Sequence, residues 1–241
     1  MCVSGPGGYE LRNIEDGSVL ADHPDLIIWR LINTMQTDSQ TKVKIINADP
    51  SAMGLFGLAI VTLVASSQKL GITDGLSYAI PWAIFLGAFA QLFACIQDSK
   101  RNNTFGTTAF GAYAFFWFAM GANWLIKMGV FGSTLAEQAD GKQLGFAFAG
   151  YLVFTLFMTL GAVEANKVLL IIFILIDFLF LGLTFDAFGV APHIFHTIAA
   201  YAEMGIGIVS LYGTGASVLN AHFGYTFLPI GKPSGIFRPK A

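Results

Sequence analysis

Asp177 and Glu203 each lie inside a long apolar stretch, and His193 and His196 stand three residues apart at the start of the second of these stretches. Asp177 falls roughly ten residues into its stretch and Glu203 roughly nine into the next. At about 1.5 Å per helical residue, both come near mid-bilayer, at similar depth on antiparallel helices. A carboxylate there is costly, so it either belongs to a proton or ion pathway or is protonated and hydrogen-bonded across an oligomer contact. The histidines are weaker candidates. His-Ile-Phe-His lacks the i, i+4 pair and intervening glutamate of a zinc peptidase, and Glu203 is two helical turns further on. Interfacial histidines at a helix end are the better reading, and no metal or other cofactor is expected.

A third feature is Asn47-Ala48-Asp49-Pro50-Ser51-Ala52-Met53-Gly54-Leu55. Asp49 as an N-cap and Pro50 as the first helical residue explain it structurally. The same helix start presents free N–H groups and a positive dipole end, which hold a carboxylate without a lysine. That matters because the apolar stretches carry no arginine or lysine at depth. An anion must be held by backbone, hydroxyls and amides, or must cross as the neutral acid.

The elements that position these residues are membrane helices. Of 241 residues 55% are apolar and 12% charged, and the mean hydropathy is +0.65, which excludes a soluble globule. The net charge of −2 without a basic stripe excludes a nucleic-acid partner. Cys2 and Cys95 form no disulfide framework. Apolar stretches run over roughly 51–68, 77–97, 104–128, 143–163, 167–186 and 194–219, each long enough to cross a bilayer as a helix. They are continuous rather than alternating, so a β-barrel does not fit. The chain is therefore read as an all-α integral membrane protein with six transmembrane helices. Gly145 with Ala149, and Gly205 and Gly207 beside Ser210, suit close helix packing. Trp82, Trp117 and Trp124 are candidate interface anchors.

Three regions follow: a cytoplasmic N-terminal extension over 1–48, a six-helix transmembrane domain over 49–222 and a cytoplasmic tail over 223–241. The first fifty residues hold seven of the fifteen acids and no signal-peptide pattern, and residues 26–32 form a candidate interfacial helix. Ten lysines and arginines fall on the side of the N-terminus, against Lys69, Lys127 and Lys142 on the other. Both termini are thus expected in the cytoplasm.

More of the chain carries recognisable blocks. They are Asn103-Thr104-Phe105-Gly106 leading to Thr108-Ala109-Phe110 and Tyr113-Ala114-Phe115-Phe116-Trp117; Phe154-Thr155-Leu156-Phe157-Met158; and Val218-Leu219-Asn220 with Phe223-Gly224 and Leu228-Pro229-Ile230-Gly231. Together with the segment from Asp49 to Leu55, which is similar to an Asn-Pro-Ala-Pro-Leu-Gly-Leu signature, these blocks resemble the acetate uptake transporter family over about residues 49–233. This is the succinate–acetate permease group, which includes the yeast ammonia/acetate export proteins.

The resemblance implies a homo-hexamer of six-helix protomers in the cell (plasma) membrane. Each protomer would pass acetate and related small monocarboxylates, with succinate as a further candidate, by proton-coupled symport, with an uncoupled anion channel as the rival. It implies no enzymatic activity; a membrane-embedded metal enzyme using His193, His196 and Glu203 is the remote alternative. The family's apolar constriction maps onto Leu58, Tyr113 and Ile176, where the tyrosine is kept and the phenylalanine and leucine have become branched aliphatics. Asp49, Pro50, Gly54, Leu55, Thr62 and Gln91 map onto its substrate-binding positions, although Thr62 and Gln91 would serve equally to bond neighbouring helices. Two departures stand out. Asp49 replaces an asparagine, unless a gapped alignment uses Asn47, and Ala52 replaces a proline. An ionised Asp49 would repel a carboxylate. Asp177 and Glu203 fall where the family carries uncharged residues, which suits a coupling role of this chain's own.

Overall fold

The computed structural model describes Ile28 and residues 48–237. The chain divides into Met1–Ile46 and Asn47–Ala241. Of the first unit Ile28 alone is described, helical and exposed, so the interfacial helix expected at 26–32 otherwise lies outside the described residues.

Six helices long and apolar enough to cross a membrane make up the second unit: α1 (Ser51–Lys69), α2 (Ala79–Lys100), α3 (Thr104–Lys127), α5 (Gly141–Ala162), α6 (Lys167–Ala187) and α7 (Pro192–Phe223). A short α4 (Ser133–Glu137) lies between α3 and α5, and there is no β-strand among the described residues. Local chemistry sets the helix ends. The Asn103 side chain accepts from Gly106 N–H at the start of α3, Asp140 from Lys142 N–H before α5, and Asn166 from Leu169 N–H before α6. Pro192 opens α7, and Gly224 closes it in the left-handed region at φ 75°. Helix α1 begins at Ser51 with Pro50 at the cap, one residue later than the sequence suggests, and Asp49 Oδ1 accepts from Ser51 N–H at 2.9 Å.

Helix α1 packs on α2 and α7, α2 on α3, and α6 on α5 and α7; a lighter contact of α3 with α5 closes the ring. Two glycines permit the closest approaches. A Cβ on Gly57 would lie 2.4 Å from the Leu86 carbonyl oxygen of α2, and one on Gly182 would lie 2.6 Å from Phe195 O of α7. Residues Ala83–Ala90 of α2 form a π-helical segment, which changes the phase at which Gln91 leaves the helix.

Buried aromatics fill the ring. Trp117 and Trp124 belong to this core, 3% and 8% exposed, which corrects their reading as interface anchors; Trp82 is 44% exposed. The C-terminal segment folds back over the ring's end. Asn220 Oδ1 accepts from the N–H groups of Phe227 and Leu228, and Val168 N–H donates to Ile230 O.

Candidate functional site

Two cavities open into the ring from opposite ends, and they share no lining residue. The smaller, about 190 Å³, lies toward the start of α1 and is walled by Asp49, Ser51, Leu55, Leu58, Gln91, Asp98, Asn103, Tyr113, Ile176 and Ile230 among others. The larger, about 810 Å³, lies toward the end of α1; Lys69, Trp117, Trp124, Lys127, Asp186, His196 and Glu203 face it. Rings lie between them. Phe180 is stacked with Tyr113 of the smaller cavity, centroids 6.4 Å apart, and meets Phe116 of the larger edge-to-face at 5.2 Å. Leu58, Tyr113 and Ile176, the expected constriction, come together in the wall of the smaller cavity, each at most 7% exposed. Phe116 and Phe180 were not singled out in the sequence. In a stretch so rich in phenylalanine nothing distinguishes a ring that faces the axis from one that faces lipid.

Tyr113 is held from behind. Its hydroxyl lies 3.0 Å from Thr155 Oγ1, and Thr155 donates to the Tyr151 carbonyl at 2.7 Å, so the phenol is the donor of the first bond. Gly54 gives its space to Phe110, whose ring an added Cβ would meet at 2.3 Å.

The expected binding positions divide. Leu55 and Gln91 line the smaller cavity. Gln91 is fully buried, its Nε2 donating to Gly87 O at 2.7 Å while Oε1 has no hydrogen-bond partner among the described residues. Thr62 does not reach the cavity; its hydroxyl turns back onto Leu58 O and Ala59 O of its own helix, at 2.8 and 3.1 Å.

Asp49 sits at the cavity mouth, 3.2 Å from Arg101. Partial burial pushes its carboxyl up, but hydrogen bonds from Ser51 and the Arg101 guanidinium outweigh that and hold it below the usual range. Asp49 is therefore ionised at neutral pH, with its charge offset by Arg101. Arg101→Gln is expected to raise the KM for a carboxylate substrate and Asp49→Asn to lower it, each about two- to fivefold at low salt. Both effects shrink as salt rises, and the double variant returns near wild type. Uptake kinetics at two ionic strengths check this; equal KM values in all four proteins would remove the pair from substrate attraction.

Asp177 and Glu203 face different partners. Asp177 Oδ2 accepts from Thr159 of α5 at 2.7 Å, Oδ1 has no partner among the described residues, and neither cavity includes the residue. Glu203, 2% exposed, pairs with Lys69 Nζ at 2.8 Å. The sequence placed Lys69 in a joint and left the spans without a cation at depth. Its long side chain instead runs from the last residue of α1 to a buried carboxylate. His196 continues this group, Nδ1 3.2 Å from Asp186 Oδ2 and Nε2 3.2 Å from Lys69 O, whereas His193 is exposed. No group of three or more His, Cys, Asp or Glu that could hold a metal ion occurs among the described residues.

Asp98 is the polar residue that sequence reading missed. It lines the smaller cavity at 1% exposure. The signal was its spacing from Gln91, seven residues and two helical turns on the same face.

The sequence profile of the GPR1/FUN34/yaaH family matches residues 32–232. The chain belongs to this family. The GPR1/FUN34/yaaH match begins upstream of the blocks that start at Asp49. A succinate-acetate/proton symporter, SatP, of Escherichia coli is 34% identical over 188 residues, covering 77% of this chain and 96% of the relative. A yeast relative from Saccharomyces cerevisiae, ammonia transport outward protein 2, is 30% identical over 58% of this chain and 51% of its own length. Among solved structures, that of the bacterial acetate channel SatP superimposes with a TM-score of 0.71 at 32% identity, over 77% of this chain and all of that one. The relatives are transporters and channels, so the protein is a multi-pass membrane transport protein and not an enzyme.

Proposed function

We propose that the protein carries acetate and related small monocarboxylates across the cell membrane, coupled to protons, through the path from the larger to the smaller cavity. The observation that carries this is the smaller cavity itself: about 190 Å³, apolar at Leu58, Tyr113 and Ile176, with a few buried polar groups at one end. That volume suits a substrate of few carbon atoms, and an apolar neck passes a neutral acid far more cheaply than an anion. The symporter and channel relatives named above support the substrate class.

In this reading Leu58, Tyr113 and Ile176 form the constriction. Asp49, Pro50, Gly54, Leu55, Thr62 and Gln91 bind or frame the substrate, Thr62 by fixing α1. Asp177 and Glu203 are the proton-coupling acids. Both termini are cytoplasmic, with an extension over 1–48 and a tail over 223–241, and the protomers assemble as a homo-hexamer in the plasma membrane. A second reading, an uncoupled acetate channel, is favoured by the name of the solved relative and by the aromatic plug, which can gate by dewetting.

Labelled acetate flux into proteoliposomes, corrected for protein-free liposomes because acetic acid itself crosses lipid, separates the two. Accumulation beyond the protein-free level that requires an inward proton gradient is expected, and Asp177→Asn and Glu203→Gln should each reduce it. Rapid equilibration indifferent to the gradient would establish the channel, and no flux above lipid would remove acetate.

A further inference from the structure

Asp98 is a buried carboxyl that no part of the reading above uses. It leaves α2 two turns after Gln91 and lies against the start of α3: a Cβ on Gly106 would fall 1.9 Å from Asp98 Oδ2 and 2.6 Å from Asn103 Nδ2. The Asn103 amide is its polar neighbour, yet among the described residues neither carboxyl oxygen has a hydrogen-bond partner of acceptable geometry. Gln91 Oε1, deeper in the same cavity, is also without one. The groups around Asp98 are the Asp49–Arg101 pair at the mouth, Cys95 on its own helix and the neutral Asn103 at the start of α3. Arg101 is already engaged by Asp49, so it does not close a direct ion pair with Asp98.

The buried side-chain atoms facing this cavity that have no partner among the described residues, Gln91 Oε1 and both Asp98 oxygens, are all acceptors. A bare carboxylate is an acceptor too, and two carboxylates brought into contact in a buried site cannot both stay ionised. A carboxylic acid, or a carboxylate meeting a protonated Asp98, satisfies them. We infer that Asp98 exchanges the transported proton directly with the substrate's carboxyl group in the smaller cavity, so that one proton accompanies each carboxylate through the neck.

The step balances. With Asp98 protonated, its O–H bond breaks and a substrate O–H bond forms; the neutral acid then donates to Gln91 Oε1 and enters the apolar neck. The ionised Asp98 regains a proton from water at the cavity mouth. In the opposite direction each step reverses. A single O–H···O⁻ bond between the two carboxyls is short and strong. Coupling then follows from like-charge exclusion: a second negative charge does not enter beside Asp98 unless a proton comes with it.

This inference rests on the reading of the protein as a proton-coupled carboxylate carrier, and membrane potential tests the two separately. Initial rates of labelled acetate entry are measured at equal pH on both sides, with the potential set by a potassium gradient and valinomycin and protein-free liposomes subtracted. The wild type is expected to be electroneutral, its rate unchanged between zero and inside-positive potential. Asp98→Asn removes both the proton and the like charge, so its slower flux becomes potential-sensitive, rising several-fold at inside-positive potential. Asp98→Glu keeps electroneutrality.

A potential-sensitive wild type would overturn the coupled reading and the inference with it. An electroneutral Asp98→Asn would overturn the inference alone. Should Asp98→Asn fail to assemble, infrared difference spectra of the wild type decide. Addition of ¹³C-carboxyl acetate is expected to change a protein carboxylic-acid C=O band, and its absence would overturn the inference.

Discussion

Lys69→Met is expected to be among the most destabilising single substitutions in the protein. Glu203 is 2% exposed and its carboxylate meets Lys69 Nζ at 2.8 Å, its one side-chain hydrogen bond among the described residues. Removing the ammonium strands a buried charge, and breaking such a pair from one side costs about 3–5 kcal/mol. In a chain of this size that corresponds to a fall in melting midpoint on the order of 10 °C. The reverse substitution costs less. Lys69 is 15% exposed and stands at a helix end, so in Glu203→Gln its ammonium can turn to the water of the larger cavity. The double variant should recover most of what Lys69→Met loses, because the unpaired charge is gone. Thermal unfolding of the four proteins in one detergent measures the cycle. A Lys69→Met midpoint equal to wild type would show that Glu203 is already protonated and that the pair contributes nothing.

The pair also marks where sequence reading reaches its limit. The six helices were legible because hydropathy and length alone define a span: the apolar stretch 104–128 became Thr104–Lys127 and 167–186 became Lys167–Ala187. The depth of Glu203 was legible for the same reason. Its partner was not, because Lys69 is 134 residues away and looked like an ordinary joint lysine. Helices apolar on every side carry no phase signal, so Trp117 and Trp124 could not be assigned to core or interface, nor Phe116 and Phe180 to the space between the cavities. Thr62 and Gln91, two polar residues in neighbouring spans, looked alike. The first spends its hydroxyl on its own helix, whereas the π-helical segment before Gln91 delivers that residue to the cavity with a free acceptor. Asp98 was overlooked for its position: five residues before the Asn103 helix cap in a charged joint, it resembled a surface acid.

Tyr113→Ala is expected to have the largest effect on transport. The tyrosine is 5% exposed, closes the inner end of the smaller cavity and stacks with Phe180, which in turn meets Phe116 of the larger cavity. Cutting it to a methyl group removes the ring between Leu58 and Ile176 and leaves space continuous with the small cavity. Truncation of a buried aromatic costs about 3–5 kcal/mol of stability when the surroundings do not collapse. Collapse is hindered here because Phe154, Phe173 and Phe180 pack on the same ring and on other helices. The opened neck should wet, since the Thr155 oxygen, still donating to Tyr151 O, loses the phenol as its donor and is left as an open acceptor. Two consequences follow for flux. Monocarboxylates of four or more carbons, expected to enter more slowly than acetate in the wild type, should enter at rates within about threefold of acetate, since pocket discrimination per methylene of roughly 1–3 kcal/mol is lost. Accumulation driven by a proton gradient should collapse to equilibration, because a wetted neck passes the anion. Tyr113→Phe keeps the ring and loses only the bond to Thr155, so it should retain acetate selectivity while melting somewhat lower, by about 1 kcal/mol. Competition between labelled acetate and butyrate in the three proteins reads both effects. Unchanged selectivity in a folded Tyr113→Ala would move the constriction to Phe116 and Phe180, the other rings between the two cavities.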